Sequence, residues 1–446
     1  MSRWRMPHPV VLLVIGVALA AALTWIVPAG AYERAVDPET GRTVAVAGTY
    51  APAPAAPVGP FGVAVAVPRG FVEGADVIAT ILFVGAAFFL LDKVGSLGRL
   101  LGGLVARLEG RERLAIPALV LFFGAMGALE NMQEEIIAMV PALLVLGRRL
   151  RVDAITVVGA SAGAAVVGSA FGPTNPFQAG VALTLAELPT LQGGGLRLAM
   201  WAVGLSVWTA WLLRHARRHD HDAPGSPEAV LEAASGRDVL NLALLLLPLG
   251  CYVVGALRWD WGFNELSGAF LVGAIAVGLL SGLRADGTTV TLLEGAQAML
   301  PAALLVGLAR SISLVLSDGR IIDTILHAMA TPLGGVSPTV SALAMVPVQA
   351  LIHVPVSSVS GQAALTMPIF IPLADLIGLS RQATVLAYQT GAGLMDLLTP
   401  TNGALLAVLL AAGVPYQRWV RFAVGGWLLT TAVGIAGILA ALTLGL

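Results

Sequence analysis

Charge is scarce in this chain. Only 11% of its 446 residues are Asp, Glu, Lys or Arg, against about 25% in a soluble domain. A water-facing surface of this extent needs charge, so a soluble globule is excluded. With 57% hydrophobic residues, the apolar side chains must face lipid. Cysteine is nearly missing too. Cys251, within an apolar run, excludes an intrachain disulfide and reads as a small packed residue. The formal net charge is −1, and no basic patch or nucleic-acid motif stands out. No nucleophile–base pair or metal-ligand set has useful spacing, so an enzyme is not expected and no cofactor is implied.

Glycine and proline are abundant, with 52 and 26 residues. Many lie inside apolar runs, where close packing and interrupted helices need them. The start, MSRWRMPHPVVLLVIGVALAAALTWIVPAG, resembles a signal peptide through Arg3 and Arg5. It lacks a small-residue cleavage site, with Trp25 and Pro28 at the boundary, and reads as a retained first helix over 10–27. The positive-inside rule puts the N-terminus in the cytoplasm of an inner-membrane protein. Residues 29–70, with the tract APAPAAPVGP, read as an external loop, and 72–77 as an amphipathic lead into a span at 77–91. Lys93, Arg99, Arg107, Arg111 and Arg113 then mark a cytoplasmic stretch with an interfacial helix at 97–108. Residues 1–213 form an N-terminal repeat half with scaffold helices, 214–238 a cytoplasmic linker, 239–422 a C-terminal repeat half, and 423–446 a final transmembrane helix. His215, His219 and His221 sit in or beside the polar linker and read as solvent-facing rather than metal-binding.

The segment IPALVLFFGAMGALENMQEEIIAMVPALLVLGRRL has apolar arms at 116–129 and 136–147, each shorter than the roughly 20 residues of a full span. Arginines flank both outer ends, so the simplest object is a re-entrant hairpin with Glu130–Glu135 at its tip. Two short full spans with the acids in an outside loop are the alternative. The apolar stretch 154–188 is interrupted by GPTNPF. Proline lacks the amide a helix interior needs, and a broken membrane helix marks a site. The second half repeats the pattern: a short-armed unit at 350–377 with the turn SSVSGQ, then 383–413 interrupted by LLTPTNG. Pro141 precedes Asn175 by 34 positions, and Pro368 precedes Asn402 by the same 34. The register pairs Glu130, Asn131 and Glu135 with Ser357, Ser358 and Gln362. Paired interrupted segments in two halves point to a transporter site. Counting crossings by charge gives a parallel duplication; an odd count per half would make it inverted.

TWIVPAGAYER, GAMGALENMQEE, GPTNPF, GLARSISLVLSDGRIIDTI and LLTPTNG resemble the YfcC-like branch of the anaerobic C4-dicarboxylate carrier family, within the ion-transporter superfamily. The likeness covers nearly the whole chain. More distantly the chain is similar to the divalent-anion/sodium symporters, although their Ser-Asn-Thr hairpin tips are here replaced by ENMQEE and SSVS. The resemblance implies an all-α polytopic membrane protein with an inverted-repeat elevator fold, two re-entrant hairpins, two broken helices and a homodimeric assembly in the bilayer. It places tips at 130–135 and 355–362 and breaks at 172–177 and 399–403 near the midplane.

On that frame the expected substrate-binding residues are Asn131, Glu134, Glu135, Thr174, Asn175, Arg310, Ser357, Ser358, Ser360, Gln362, Thr401 and Asn402. The asparagines and threonines replace a solute's hydration shell, or cap the helices they precede; both roles are compatible. A buried carboxylate needs a cation, a proton or hydrogen bonds, and Glu134 and Glu135 are favoured over Glu130. Arg310 either pairs with a glutamate or receives a substrate carboxylate. Asn175, Asp396 and Asn402 are candidate ligands for Na+, with Na+ or H+ as coupling ion. The expected function is secondary active transport of a small polar solute by alternating access, as symport or antiport. An amino acid or short peptide is the leading substrate class, and a C4-dicarboxylate or other organic carboxylate the alternative. A channel or a non-transporting membrane regulator is the alternative of another class.

Overall fold

The structure is a computed structural model. It describes residues 9–36, 43–96, 99–100, 114–173, 175–189, 192–218, 235–259, 261 and 263–446. Arg3, Arg5, His219, His221, Thr174, most of 97–108 and most of the linker lie outside the described residues, as does the side chain of Glu130. The chain is mostly helical. Six described helices are long and apolar enough to cross a membrane, seven if a bent pair counts as one span.

Two groups of helices organise the molecule. In the first, helix Ala75–Lys93 packs against Phe263–Leu280 and against the 35-residue helix Arg284–Asp318, which also carries Pro9–Ile26 and Pro60–Glu73. Thirty-five residues measure about 52 Å, well beyond the ~30 Å hydrocarbon core. The helix accommodates this with a 40° bend between Arg284–Pro301 and Ala303–Asp318, where Pro301 supplies no amide hydrogen.

Helix Pro60–Glu73 lies where the sequence reads as a loop, despite the internal Pro68. It forms because it can pack: Gly70 sits against the backbone of Gly307 and Ser311, leaving no room for a Cβ. Four short strands pair as 30–31 with 51–52 and 34–36 with 43–45. They are anchored on a further unanticipated helix, Ile322–Ala330: Asp323 accepts from the Tyr32 amide and pairs with Arg34 at 2.7 Å. The Tyr32 hydroxyl, partly desolvated and close to Asp323, has its pKa pushed up to about 12.

The second group contains two units of like design. Helices Ala115–Glu130 and Glu134–Arg149 form a hairpin whose open ends meet at Ala115, Leu146 and Leu150. The helix Ala154–Phe171 follows, then a break, then a helical arm at 176–185. The second unit has helices Pro338–His353 and Val359–Leu376, then a helix from Arg381 whose turns persist to Met395, a break, and Gly403–Ala411. Wide π turns, Gly159–Gly163 and Gln389–Gly393, loosen both long helices ahead of their breaks. Helices Gly194–Arg218 and Tyr416–Leu444 brace both units.

The units interlock. The arm 181–185 packs on Val359–Leu376, the hairpin of the second unit. Reciprocally, Gly403–Ala411 packs on Glu134–Arg149, the hairpin of the first. The broken helix of the first unit thus begins beside its own hairpin's open end and finishes beside the other's, where Arg381 bonds to the carbonyl of Ala186 and to Glu187.

Candidate functional site

The first hairpin turns at Asn131, the left-handed residue that ends Ala115–Glu130 (φ 60°), its amide bonding to the Gly127 carbonyl at 3.0 Å. Asparagine tolerates this conformation better than most residues. Glu134 and Glu135 occupy the first turn of the next helix, where free amides favour negative charge. At the first break, Asn175 accepts from the amides of Phe177 and Gln178 at 3.0 and 2.8 Å, capping the second arm. Its own amide group donates to the Gly127 carbonyl and to Asn131. Asn402 repeats the role: it accepts from the Leu405 amide at 3.0 Å.

The repeat register extends to acceptors. Gly127 and Val354 stand at equivalent positions, each 48 residues before its asparagine, and each carbonyl receives a side-chain bond from its unit's break. Asn175 bonds to Gly127, and Thr401 bonds to Val354. Ser357 closes the second junction by donating to the Thr401 carbonyl at 3.1 Å. Carbonyls freed at the second break are satisfied by the final helix: Trp419 donates to Leu397 and Tyr416 to Leu398.

These tips surround a cavity of about 130 Å³. One wall comes from the first helix group through Val77, Phe263, Val306 and Arg310. The other comes from the interlocked units through Asn131, Gln133, Glu134, Ser357, Ser358, Ser360, Asp396 and Asn402. The cavity therefore lies between the two groups. Arg310 makes no hydrogen bond or ion pair with any described residue. It faces a chamber that also contains the carboxyl groups of Glu134 and Asp396.

Several expected residues stand elsewhere. Glu135 is buried and accepts from the Gln133 amide behind the cavity wall. Asn175 is buried, bonded away from the chamber, so it does not join Asp396 and Asn402 around one point. The Thr401 hydroxyl is taken by backbone. Gln362 lies one layer back. Among the described residues no group of three or more His, Cys, Asp or Glu side chains has a metal-binding arrangement. His215 bonds to Asp153 at 3.2 Å. Burial resists ionisation of that carboxyl, but bonds from His215 and Thr156 outweigh it and hold its pKa down at about 2.

Two residues of consequence are not among those expected. Gln133 donates to Asp396 at 3.0 Å, linking the first hairpin to the second break across 263 positions. His353, fully buried at the end of its helix, bonds to Asp396 and Gln362, both at 2.8 Å. A lone histidine followed by Val-Pro gives a sequence little signal. Only the proximity of Asp396 exposes its role.

Helix length, apolarity and paired breaks define a multi-pass membrane transporter. Residues 6–443 match the family described as C4-dicarboxylate anaerobic carrier, and the chain belongs to that family. It is 30% identical to the "Putative basic amino acid antiporter YfcC" of Escherichia coli, over 94% of this chain and 93% of that one. An uncharacterized protein of Haemophilus influenzae is 27% identical over the same shares. Among solved structures, the YdaH transporter of Alcanivorax borkumensis aligns over 98% of this chain and 99% of its own, with 16% identity and a TM-score of 0.47. MtrF of Neisseria gonorrhoeae, described as representing a class of antimetabolite efflux pumps, aligns over 97% and 94%, with 16% identity and a TM-score of 0.44.

Proposed function

We propose that the protein is a secondary active transporter of the cytoplasmic membrane, N-terminus inside, that exchanges a cationic amino acid by alternating access. The observation that carries this reading is the charge pattern of the cavity: one guanidinium, with no hydrogen bond or ion pair to a described residue, facing two carboxyl groups. Arg310 receives the α-carboxylate in a forked pair. Glu134 and Asp396 receive the α-ammonium and the side-chain cation. Serine hydroxyls and the amides of Asn131 and Asn402 replace the remaining hydration. The name of the Escherichia coli relative agrees with this class.

Size narrows the choice. The cavity is comparable to the roughly 150 Å³ engineered void that holds benzene, so it suits one amino acid better than a peptide. A C4-dicarboxylate is the second reading because the family's description names it. Two acids in the wall oppose a dianion by like-charge repulsion.

The helix groups on either side of the cavity act as scaffold and transport unit, with the interlocked units moving past the scaffold. An inverted repeat belongs to this reading, supported by a broken helix that starts at one hairpin's open end and finishes at the other's. So does a homodimer formed through the scaffold.

The test is uptake into proteoliposomes of radiolabelled arginine, lysine, alanine, a dipeptide and fumarate, under proton and sodium gradients imposed separately. Saturable accumulation of arginine or lysine, competed by the other, is expected. Accumulation of fumarate without any amino acid refutes the cationic-substrate reading. Flux that does not saturate refutes a carrier.

A further inference from the structure

Asp396 and His353 meet in an arrangement that requires a proton, and hydrogen-bond accounting shows where it sits. The backbone carbonyl of Gln349 can only accept. It receives a bond at 2.8 Å from the Gln362 side chain, whose amide nitrogen must therefore point that way. The same nitrogen donates to the Gln349 side-chain oxygen at 2.7 Å. The Gln362 oxygen is left facing Nδ1 of His353 at 2.8 Å, so Nδ1 carries a hydrogen. A neutral imidazole with hydrogen on Nδ1 has a bare lone pair on Nε2. That lone pair points at Oδ1 of Asp396, 2.8 Å away. Two lone pairs do not share such a contact. One proton lies between them, either on the carboxyl oxygen or on the ring nitrogen.

The rest of the surroundings deepens the constraint. Asn402 donates to Oδ1 of Asp396 at 2.6 Å and Gln133 to Oδ2 at 3.0 Å. Both contacts survive either placement of the proton. The other charged groups nearby are Glu134 and Glu135 from the first hairpin, Arg310 across the cavity, and Asp76, which lies in electrostatic reach of Glu134. His353 has no exposed surface, whereas Asp396 lines the cavity. Proton exchange with solvent therefore passes through the substrate chamber.

We infer that the His353–Asp396 pair is the proton-coupling site, at which a proton and the cationic group of the substrate compete for the Asp396 carboxylate. This rests on the transport reading above. In the proton-loaded form, the pair bridges the second hairpin to the second break and Asp396 is satisfied within the protein. Loss of the proton to the chamber leaves a carboxylate beside a lone pair, and the substrate ammonium neutralises it. One proton leaves as one cation binds, which is the stoichiometric basis of antiport.

The wild-type protein tests this without any substrate. In purified full-length protein with 15N-labelled histidine, the His353 signal, assigned by its loss in His353→Gln, is expected to show hydrogen on Nδ1. Its Nε2 signal is expected to change with pH as the shared proton is gained from and lost to the chamber. Hydrogen on Nε2 with Nδ1 bare, or an Nε2 signal that never changes, overturns the inference whether or not arginine is a substrate. A second measurement mixes arginine with weakly buffered protein. Release of one proton per arginine bound is expected, and none from His353→Gln or Asp396→Asn. Arginine binding without proton release in the wild type also overturns it. Failure of arginine to bind at all, with the histidine signal as expected, strikes only the substrate assignment.

Discussion

Asn402 performs two separable tasks, and substitutions can part them. Its oxygen caps Gly403–Ala411 through the Leu405 amide, and its nitrogen donates to the Asp396 carboxyl at 2.6 Å. Asparagine and serine cap helices about equally well, while alanine loses about 1 kcal/mol. A hydrogen bond to a charged group contributes about 1.5–3 kcal/mol. Asn402→Ser therefore keeps the cap, loses the donor and costs about 2 kcal/mol. Asn402→Ala loses both and costs about 3 kcal/mol. Transport should follow a different order, because it depends on the donor alone. Both variants should lose about 10- to 150-fold in apparent substrate affinity, the equivalent of the missing bond. Thermal unfolding in detergent gives the first ranking and arginine uptake into proteoliposomes the second. Equal stability of the serine and alanine variants refutes the capping argument. Undiminished uptake by the serine variant refutes the claim that the Asp396 contact serves transport.

Arg310→Ala should raise the arginine KM by about 100-fold and abolish discrimination against agmatine, which lacks the carboxylate. Arg310→Lys should recover part of the affinity but not the forked geometry. Competition uptake against both ligands measures this, and retained discrimination in the alanine variant counts against a carboxylate contact. Gly168→Ala should destabilise the protein by more than the about 1–3 kcal/mol of ordinary overpacking, since its Cβ would strike the Gly124 backbone carbonyl. Yield of monodisperse protein and its unfolding temperature are the readouts. Asp153 has a folded-state pKa of about 2, below the ordinary carboxylate value. Its contribution, about 2 kcal/mol, is present above about pH 4 and fades as pH falls through about 2. Asp153→Asn should lower stability at neutral pH and flatten that acid limb in a pH series of unfolding temperatures.

Breaks and hairpins are legible in the sequence because they violate local rules. Proline and glycine inside an apolar run mark a bend, a break or a close approach of backbones, and the 34-residue spacing ties the two PTN triplets together. The cavity residues from the tips follow from that register, including Asn131, Ser357, Ser358 and Asn402. Contacts between distant segments are not legible. Gln133 meets Asp396, and His353 meets Asp396 and Gln362, only in the folded chain. Neither pattern has a local signature. The helix Pro60–Glu73 is hidden for a related reason. Its prolines and small residues favour a loop locally, and the surface of Arg284–Asp318 overrides that preference. Helix Ile322–Ala330, only 9 residues long, is too short to stand out among span-length apolar runs.

The interlocking of the units bears on how the protein is made. When residues 115–185 leave the ribosome, the surface of Glu134–Arg149 that will hold Gly403–Ala411 is still uncovered, and so is the arm 181–185. Gln133 waits for Asp396 through 263 residues of further synthesis. The first unit therefore acquires these partners only once the second unit has been made. A truncated product lacking about the last fifty residues, and with them Asp396 and Gly403–Ala411, carries this unfinished surface permanently.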